Sequence, residues 1–268
     1  MPLAVCATPI GNLDDVTIRV LRELAEADLV LCEDTRRTRG LLARHGVRAR
    51  LASYHRHTEA RRTDELLPRL EAGERIALVS DAGLPGINDP GARLIAAAVG
   101  AGVPVVVLPG PSAVETALVA SGLLAERYQF LGYLPRAEAA LGALWRELAR
   151  WRWAAVAFES PRRLPVALAS LAAAMPNRRV AVCRELTKVF EEVARGTAAE
   201  LAERFGEPVR GEVTVVIGAA DVESAVAESE ALAAVAELVA DGVGRRRAAD
   251  VVSRLTGVPR NSLYRRSL

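Results

Sequence analysis

Lysine is almost absent from this sequence. The chain carries 35 basic residues, and Lys188 is the single lysine among them. Such a strong preference for arginine is typical of a GC-rich genome. A compact ammonium and a planar guanidinium are not interchangeable, so a lysine that persists under this bias is a candidate for a role that arginine cannot fill. Chance survival of Lys188 is the alternative.

Cysteine, histidine and aromatic residues are also scarce. The three cysteines (Cys6, Cys32 and Cys183) lie in apolar runs and form no Cys-x-x-Cys pair, and the three histidines form no zinc signature. This pattern predicts buried free thiols and no metal site. Aromatic residues make up 4% of a chain that is 51% hydrophobic, so leucine, valine and alanine must fill its core.

Long hydrophobic runs are missing as well. No stretch reaches the length needed to cross a membrane, and the N-terminus has no basic segment ahead of an apolar run. We therefore expect a soluble, cytoplasmic protein without a membrane partner.

Three common catalytic motifs do not occur. The sequence has no Gly-x-x-x-x-Gly-Lys-Ser/Thr loop, no Gly-x-Gly-x-x-Gly after its first apolar run and no Gly-x-Ser-x-Gly elbow. Phosphate-loop chemistry, ordinary dinucleotide redox chemistry and serine hydrolysis are therefore poorly supported.

The sequence does contain three apolar runs that each lead into a loop rich in glycine and proline. The central loop, residues 80–91, follows the run at 75–79, and similar loops follow the runs at 3–7 and 103–108. If these runs are parallel neighbouring strands, their loops meet at one sheet edge, where open α/β sheets bind ligands. Within the central loop, Asp89 is predicted to cap the following helix, with Pro90 at its first position.

The order of apolar runs and helical patterns predicts an α/β fold with two α/β domains and a cleft between them. The N-terminal domain is predicted over residues 1–121, with a mostly parallel sheet. The second is predicted over 122–220, with a mixed sheet that contains an antiparallel pair around Leu186. Residues 219–229 are predicted to be a linker, and 228–268 a helical tail. Further caps are predicted at Asp14 and Asp15, at Asp34 and at Ser160.

Charge is unevenly distributed along the chain. The net charge is +2, but residues 242–268 contain seven arginines and one acid, so the rest of the chain is net acidic. A basic tail of this kind is typical of a surface that binds nucleic acid phosphates, and Arg245, Arg246 and Arg247 begin it. A solvated helical cap is the alternative.

Seven motifs occur together and in order, and they closely resemble the ribosomal RNA small subunit methyltransferase I family, within the tetrapyrrole methylase superfamily. They are residues 7–13 (ATPIGNL), 32–36 (CEDTR), 53–55 (SYH), 80–91 (SDAGLPGINDPG), 109–113 (PGPSA), 158–164 (FESPRRL) and 184–188 (RELTK). The chain departs from the family pattern at residues 137–140, where further basic residues are usual, and at Leu84, Asn88 and Arg162.

The resemblance implies 2′-O-methylation of a cytidine ribose in the decoding region of small-subunit ribosomal RNA, with S-adenosylmethionine as cofactor. It also implies a tetrapyrrole methylase-like fold, a homodimer and a partner that is small-subunit ribosomal RNA or the small ribosomal subunit. By position in the motifs, the cofactor site is predicted at Pro9, Ile10, Gly11, Asp81, Gly83, Leu84, Ser112 and Ala113.

Methyl transfer to a ribose hydroxyl needs reactants held in line and benefits from a nearby base. The candidate bases are Asp34, Glu33, Glu159 and Glu185, and Lys188 is the candidate for stabilising negative charge on oxygen. Each of these residues has a structural ion pair as its alternative role. The candidate RNA contacts outside the tail are Arg36, Arg37, Arg162 and Arg163.

Two other functions stay open at this point. One is methylation of a small tetrapyrrole on the same cofactor fold. The basic tail and the Glu33-Asp34-Thr35-Arg36 sequence argue against it. The other is a non-catalytic RNA-binding module. The intact set of cofactor loops argues against it.

Overall fold

The computed structural model describes residues 3–124, 126–149, 151–220, 222–256, 258 and 260–266, with the side chains of 222–228 left out. It contains two five-stranded sheets and a C-terminal group of helices. None of the helices among the described residues is long and apolar enough to cross a membrane.

The first sheet is built from the N-terminal apolar runs. The prediction of a mostly parallel sheet is confirmed, and all four of its strand pairs are parallel. Its strand order is β3-β2-β4-β1-β5. The strands are β1 (Leu3–Cys6), β2 (Leu29–Cys32), β3 (Leu51–Ser53), β4 (Ile76–Val79) and β5 (Val105–Leu108). The helices that follow them are α1 (Ile18–Glu26), α2 (Thr35–Arg44), α3 (Glu59–Glu71), α4 (Ala92–Gly100) and α5 (Ala113–Ser121). Because β1 and β4 are neighbouring parallel strands, the loops after them lie side by side.

The second sheet is mixed, as predicted, with the order β6-β7-β10-β8-β9. Its first pair is parallel and the other three are antiparallel, including the β8–β9 pair on either side of Leu186. The strands are β6 (Tyr128–Tyr133), β7 (Ala154–Glu159), β8 (Arg179–Arg184), β9 (Glu192–Thr197) and β10 (Val213–Ile217). The helices are α6 (Glu138–Leu148), α7 (Leu164–Ala174) and α8 (Ala198–Arg204).

The two sheets are joined through a shared apolar cluster. Ile10 from the loop after β1 and Val114 from α5 pack in the same cluster as Ala181 and Cys183 of β8 and Leu186 of the turn after β8. The three cysteines are free and buried, as predicted. The predicted division of domains at residues 121 and 122 falls between α5 and β6 and stays a prediction.

The C-terminal helices pack around a small core of their own. They are α9 (Val222–Ala240), α10 (Arg245–Thr256) and α11 (Arg260–Arg266). Val235, Val252 and Leu263, one from each helix, are buried in this core. The linker predicted at 219–229 is wrong, because α9 begins at Val222; its alanines favour a helix over a flexible connection.

Three predicted caps are also wrong. Thr17, not Asp14 or Asp15, caps α1 by accepting a hydrogen bond from the Val20 N–H at 3.2 Å. The turn at Ser160 precedes α7, which begins at Leu164. Gly91, not Asp89, precedes α4, at a φ of 132° that favours glycine. The cap at Asp34 is confirmed, since its side chain accepts a hydrogen bond from the Arg36 N–H at 2.8 Å.

Candidate active site

The central loop is fixed to the loop after β1 by a short antiparallel bridge. The Thr8 N–H donates to the Gly83 carbonyl at 2.8 Å, and the Gly83 N–H donates to the Thr8 carbonyl at 3.0 Å. The Thr8 hydroxyl also donates to the Ser80 carbonyl at 3.0 Å. Gly83 has a φ of 74°, a conformation that glycine adopts readily. These contacts hold two of the predicted cofactor loops in one fixed arrangement.

The third loop ends at the N-terminus of α5, which no side chain caps. The Ser112 hydroxyl instead donates a short hydrogen bond to the Glu115 carboxylate. Ser112 therefore does not cap α5, and N–H groups at a helix N-terminus, together with the helix dipole, favour a bound carboxylate. Upstream, a Cβ added at Gly110 would lie 2.9 Å from the Ala7 side chain, so a residue larger than glycine would push the loops apart.

One cleft with two adjoining cavities lies between the sheets. The cavities have volumes of about 340 and 460 Å³, and Arg37, Asp81 and Glu212 line both. Every residue predicted for the cofactor site lines one cavity or both: Pro9, Ile10, Gly11, Asp81, Gly83, Leu84, Ser112 and Ala113. The structure thus brings together all eight residues, although their contact with a cofactor stays a prediction.

Aromatic side chains from the second sheet form one wall of the larger cavity. The Phe158 ring lies edge-on to Phe130, with centroids 5.0 Å apart, and to Tyr133, at 5.6 Å. Tyr133 is 63% exposed at the cleft. An apolar wall facing carboxylates and backbone amides suits a ligand with both a planar ring and charged groups.

Lys188 lies in the cleft between two carboxylates. Its Nζ donates to Glu185 Oε1 at 2.8 Å and to Glu212 Oε2 at 2.9 Å. Burial lowers the pKa of Lys188, but the two carboxylates outweigh burial and raise it above its ordinary value, so the ammonium stays charged. The hydrogen bond from Lys188 lowers the pKa of Glu185. Lys188 lines the smaller cavity, whereas Glu185 lines neither cavity of the cleft.

The turn that carries Lys188 is held against the loop after β1. The Asn12 N–H donates to the Thr187 hydroxyl at 2.9 Å, and a Cβ added at Gly11 would lie 2.6 Å from the Lys188 Cγ. Thr187 has a φ of 66°, which is unfavourable for a β-branched residue. Strain of this kind persists only where the surroundings enforce it, so the turn is held in one position at the cleft.

Glu159 ends β7 and lines the larger cavity with a fully buried side chain. Its Oε1 accepts a hydrogen bond from the Ser160 N–H at 2.6 Å and lies 3.2 Å from Arg163 Nη1. Its Oε2 has no hydrogen-bond partner among the described residues. Burial raises the pKa of Glu159, and the Ser160 N–H and Arg163 partly oppose that shift.

The other candidate bases, Asp34 and Glu33, do not line either cavity. Asp34 caps α2 and pairs with Arg36 at 3.0 Å, and hydrogen bonds from Arg36 lower its pKa to about 2. Such a weak proton acceptor is poorly suited to general base catalysis near neutral pH. The geometry of Asp34 favours its capping role.

The predicted RNA contacts lie in three parts of the structure: the cleft, the turn before α7 and the tail. Arg36 and Arg37 line the cleft, and the Arg37 Nη1 lies 3.6 Å from Asp81. Arg162 is exposed beside α7, whereas Arg163 donates to the Pro135 carbonyl at 2.6 Å and fixes the loop after β6. In the tail, Arg246 and Arg247 are exposed at the start of α10, and Arg245 is half-buried. Their contact with RNA stays a prediction.

Sequence reasoning missed Asp89, Tyr133 and Glu212 as cleft residues. Asp89 was predicted to be a helix cap, while Tyr133 and Glu212 lie at the ends of strand-like runs without any motif of their own. Only the paired sheets bring these three side chains together. Among the residues that the structure describes, no group of three or more His, Cys, Asp or Glu side chains is placed to hold a metal ion.

Comparison with known proteins identifies the class of this fold and cleft. Residues 2–202 match the model of the Tetrapyrrole (Corrin/Porphyrin) Methylases, and the chain belongs to this family. Solved structures agree on the fold: the methyltransferase CobJ superposes with a TM-score of 0.62 at 22% identity, over 81% of this chain and 94% of that chain. The uroporphyrin-III-C-methyltransferase of Thermus thermophilus gives 0.57 at 21% identity, over 81% and 93%.

Closer relatives place the chain in a particular branch of that family, the one whose members are named Ribosomal RNA small subunit methyltransferase I. The protein of that name from Mycobacterium tuberculosis is 45% identical over 96% of this chain and 91% of its own length. The one from Mesorhizobium japonicum is 40% identical over 99% of this chain and 91% of its own length. The similarity therefore includes the C-terminal helices.

Proposed function

We propose that this protein transfers a methyl group from S-adenosylmethionine to the 2′-hydroxyl of a cytidine ribose in the decoding region of small-subunit ribosomal RNA. The observation that carries the proposal is the similarity, over nearly the whole chain, to relatives named for methylation of small-subunit ribosomal RNA. The residues of the cleft fit a ligand that combines a carboxylate, an adenine ring and a ribose.

The fit depends on three parts of the cleft. The uncapped N-terminus of α5 at Ser112 and Ala113 supplies N–H groups for the cofactor's carboxylate. Ile10 and the aromatic wall supply apolar surface for the ring, and Asp81 supplies an acceptor for hydroxyl or amino groups. When bound, S-adenosylmethionine provides a methyl group activated on a sulfonium.

The chain's own residues orient the acceptor and handle its proton. In-line displacement depends mainly on holding the reacting atoms in line. The loops joined by the Thr8–Gly83 bridge, and the turn at Thr187 that is hydrogen-bonded to Asn12, provide fixed positions for this. Lys188 is a cation at the cleft, and it can stabilise negative charge as it develops on the ribose oxygen. Methyl transfer of this kind needs positioning and a proton acceptor rather than a nucleophile on the protein.

The direct test is methyl transfer to purified substrates. We expect label from S-adenosylmethionine to appear in small ribosomal subunits taken from a strain that lacks this modification, and not in subunits that already carry it. Label in a small tetrapyrrole, with none in the subunits, would favour the alternative methylase. Cofactor binding without transfer to any substrate would contradict an enzymatic function.

We also infer that the protein acts as a homodimer. β5 is an edge strand, and its Val106 and Val107 are 40% and 49% exposed. An uncovered apolar edge strand is prone to pair with another chain, so this edge is a candidate for the dimer surface. Light scattering should give twice the chain mass of 28.6 kDa, and Val107→Lys should give the monomer. A monomer for the unmodified protein would contradict the inference.

The tail is proposed to dock RNA through its phosphates. Since the core of α10 and α11 also includes Val235 of α9, removing residues 242–268 would expose α9 to solvent, and substitutions are the cleaner test. We expect Arg246→Gln/Arg247→Gln to weaken ribosomal RNA binding and to reduce the salt slope of binding by roughly 1.4–1.8, the effect of about two lost phosphate contacts. Cofactor binding and the modified nucleotide should not change, because phosphate contacts carry no sequence information directly.

The matched control is Arg19→Gln/Arg22→Gln, which removes two exposed arginines from α1. Affinity and salt slope measured at several salt concentrations should match the unmodified protein in this control. Equal slopes for both double variants would make the tail a structural cap and leave RNA recognition to the cleft arginines.

A further inference from the structure

Asp89 does not cap α4, although its position in the sequence predicts that it would. The N-terminus of α4 is capped over a long distance by Glu59, the first residue of α3. The Glu59 Oε1 accepts hydrogen bonds from the Gly91 N–H at 2.9 Å and the Arg93 N–H at 3.2 Å. Because this carboxylate satisfies the helix end, Asp89 is not needed there.

Asp89 instead lines the larger cavity as a half-buried carboxylate. Burial and the nearby carboxylates of Glu33 and Asp81 raise its pKa to about 6, against a smaller opposing effect of Ser80 and Arg56. Tyr133 faces it from the second domain, and the two groups interact electrostatically. A carboxylate that is desolvated among like charges and that caps no helix is typical of a functional site.

We propose that Asp89 is the general base that takes the proton from the ribose 2′-hydroxyl of the RNA, an inference that rests on the proposed function. Asp89 belongs to the same loop as Asp81 and Gly83, and all three line the larger cavity together with the aromatic side chains of the second sheet. A ribose hydroxyl that binds between the aromatic wall and the central loop would therefore lie next to the Asp89 carboxylate.

The step balances without any other reactant. The O–H bond of the ribose breaks and its proton passes to the Asp89 carboxylate, while the ribose oxygen forms a bond to the methyl carbon. The bond between that carbon and the sulfonium sulfur breaks, and its electron pair stays on sulfur, which leaves a neutral thioether. The proton then returns to solvent from a group whose pKa of about 6 lies close to neutral pH.

The test replaces Asp89 by asparagine, which keeps the shape and removes the base. We expect Asp89→Asn to lower kcat by on the order of a hundredfold or more, with unchanged affinity for S-adenosylmethionine and little change in the KM for RNA. For the unmodified protein, kcat should rise with pH through an apparent pKa of about 6, and this rise should disappear in Asp89→Asn. Asp64→Asn, an exposed change on α3, should behave as the unmodified protein.

Thermal unfolding supplies a readout that does not depend on activity. The pKa of Asp89 is raised in the folded state from 3.8 to about 6, so its contribution to stability falls as pH rises through this range. We therefore expect Asp89→Asn to raise Tm at pH 8 and to leave it unchanged at pH 4. Glu59→Ala should instead lower Tm, because it removes the α4 cap, and should keep the pH dependence of kcat.

The outcomes distinguish failure of the role proposed for Asp89 from failure of the proposed function. A kcat for Asp89→Asn close to the unmodified value, or an unchanged pH profile, would overturn the role of Asp89 and leave the proposed function standing. No methyl transfer by the unmodified protein would overturn the proposed function and this role with it. If Asp89→Asn does not fold, Asp89→Glu replaces it: a displaced carboxylate should lower kcat by about a hundredfold and keep the pH dependence, and an unchanged kcat would overturn the proposal.

Discussion

Replacing Lys188 by alanine is expected to lower the rate of methyl transfer by on the order of a hundredfold while leaving the affinity for S-adenosylmethionine nearly unchanged. Lys188 places a permanent positive charge at the cleft, 2.8 Å from Glu185 and 2.9 Å from Glu212. Its removal deletes the charge that stabilises the developing oxyanion and leaves two carboxylates close together. Single-turnover transfer and calorimetric cofactor binding measure the two effects separately.

Lys188→Arg is the informative companion variant. It keeps the charge, but a planar fork cannot occupy the place of a compact ammonium held between two carboxylates without moving one of them. We expect its rate to fall between that of Lys188→Ala and that of the unmodified protein. Full activity in both variants, with normal folding, would make Lys188 a structural ion pair and its survival in an arginine-rich chain a matter of chance.

Replacing Gly83 by valine is expected to weaken cofactor binding by on the order of ten- to a hundredfold. This loss corresponds to the free-energy cost of overpacking, which is about 1–3 kcal/mol. Gly83 has a φ of 74°, and its added Cβ would point into the gap between Pro111 and Ile10, 3.7 and 3.9 Å away. The β-branched side chain would then occupy the space where the three loops meet. Calorimetry with S-adenosylmethionine measures the loss.

Gly102→Val controls for backbone strain alone. Gly102 has a φ of 72°, nothing lies within 4 Å of its added Cβ, and it precedes β5 rather than following it. Both variants should lose about 1–2 kcal/mol of folding stability from the left-handed conformation. Only Gly83→Val should lose cofactor affinity; unchanged affinity there would remove the central loop from the site.

The sequence predicted those parts of the fold that depend on local pattern. Short apolar runs such as Ile76–Val79 became buried strands, and the mixed second sheet followed from two closely spaced runs around Leu186. The cap predicted at Asp89 failed because the residue that caps α4 is distant in sequence, whereas α1 is capped by the nearby Thr17. Nothing near Asp89 indicates that Glu59, on a preceding helix, would take over the end of α4.

The site was also predicted only in the parts that depend on local sequence. Its loops were found because glycine and proline mark them, and because motif positions selected Asp81 and Ser112. Tyr133, at the end of β6, and Glu212, just before β10, could be recognised as cleft residues only when both sheets were in place. Their role depends on tertiary approach and not on any local motif, so a single sequence could not reveal it.

The most direct test of the central claim is the position of the transferred methyl group. Small ribosomal subunits that lack the modification are incubated with the protein and S-adenosylmethionine, and the RNA is digested and analysed by mass spectrometry. We expect one added methyl group per subunit, on the 2′-oxygen of a single cytidine in the decoding region. A methyl group on a base, on several scattered nucleotides or on no nucleotide at all would contradict the account.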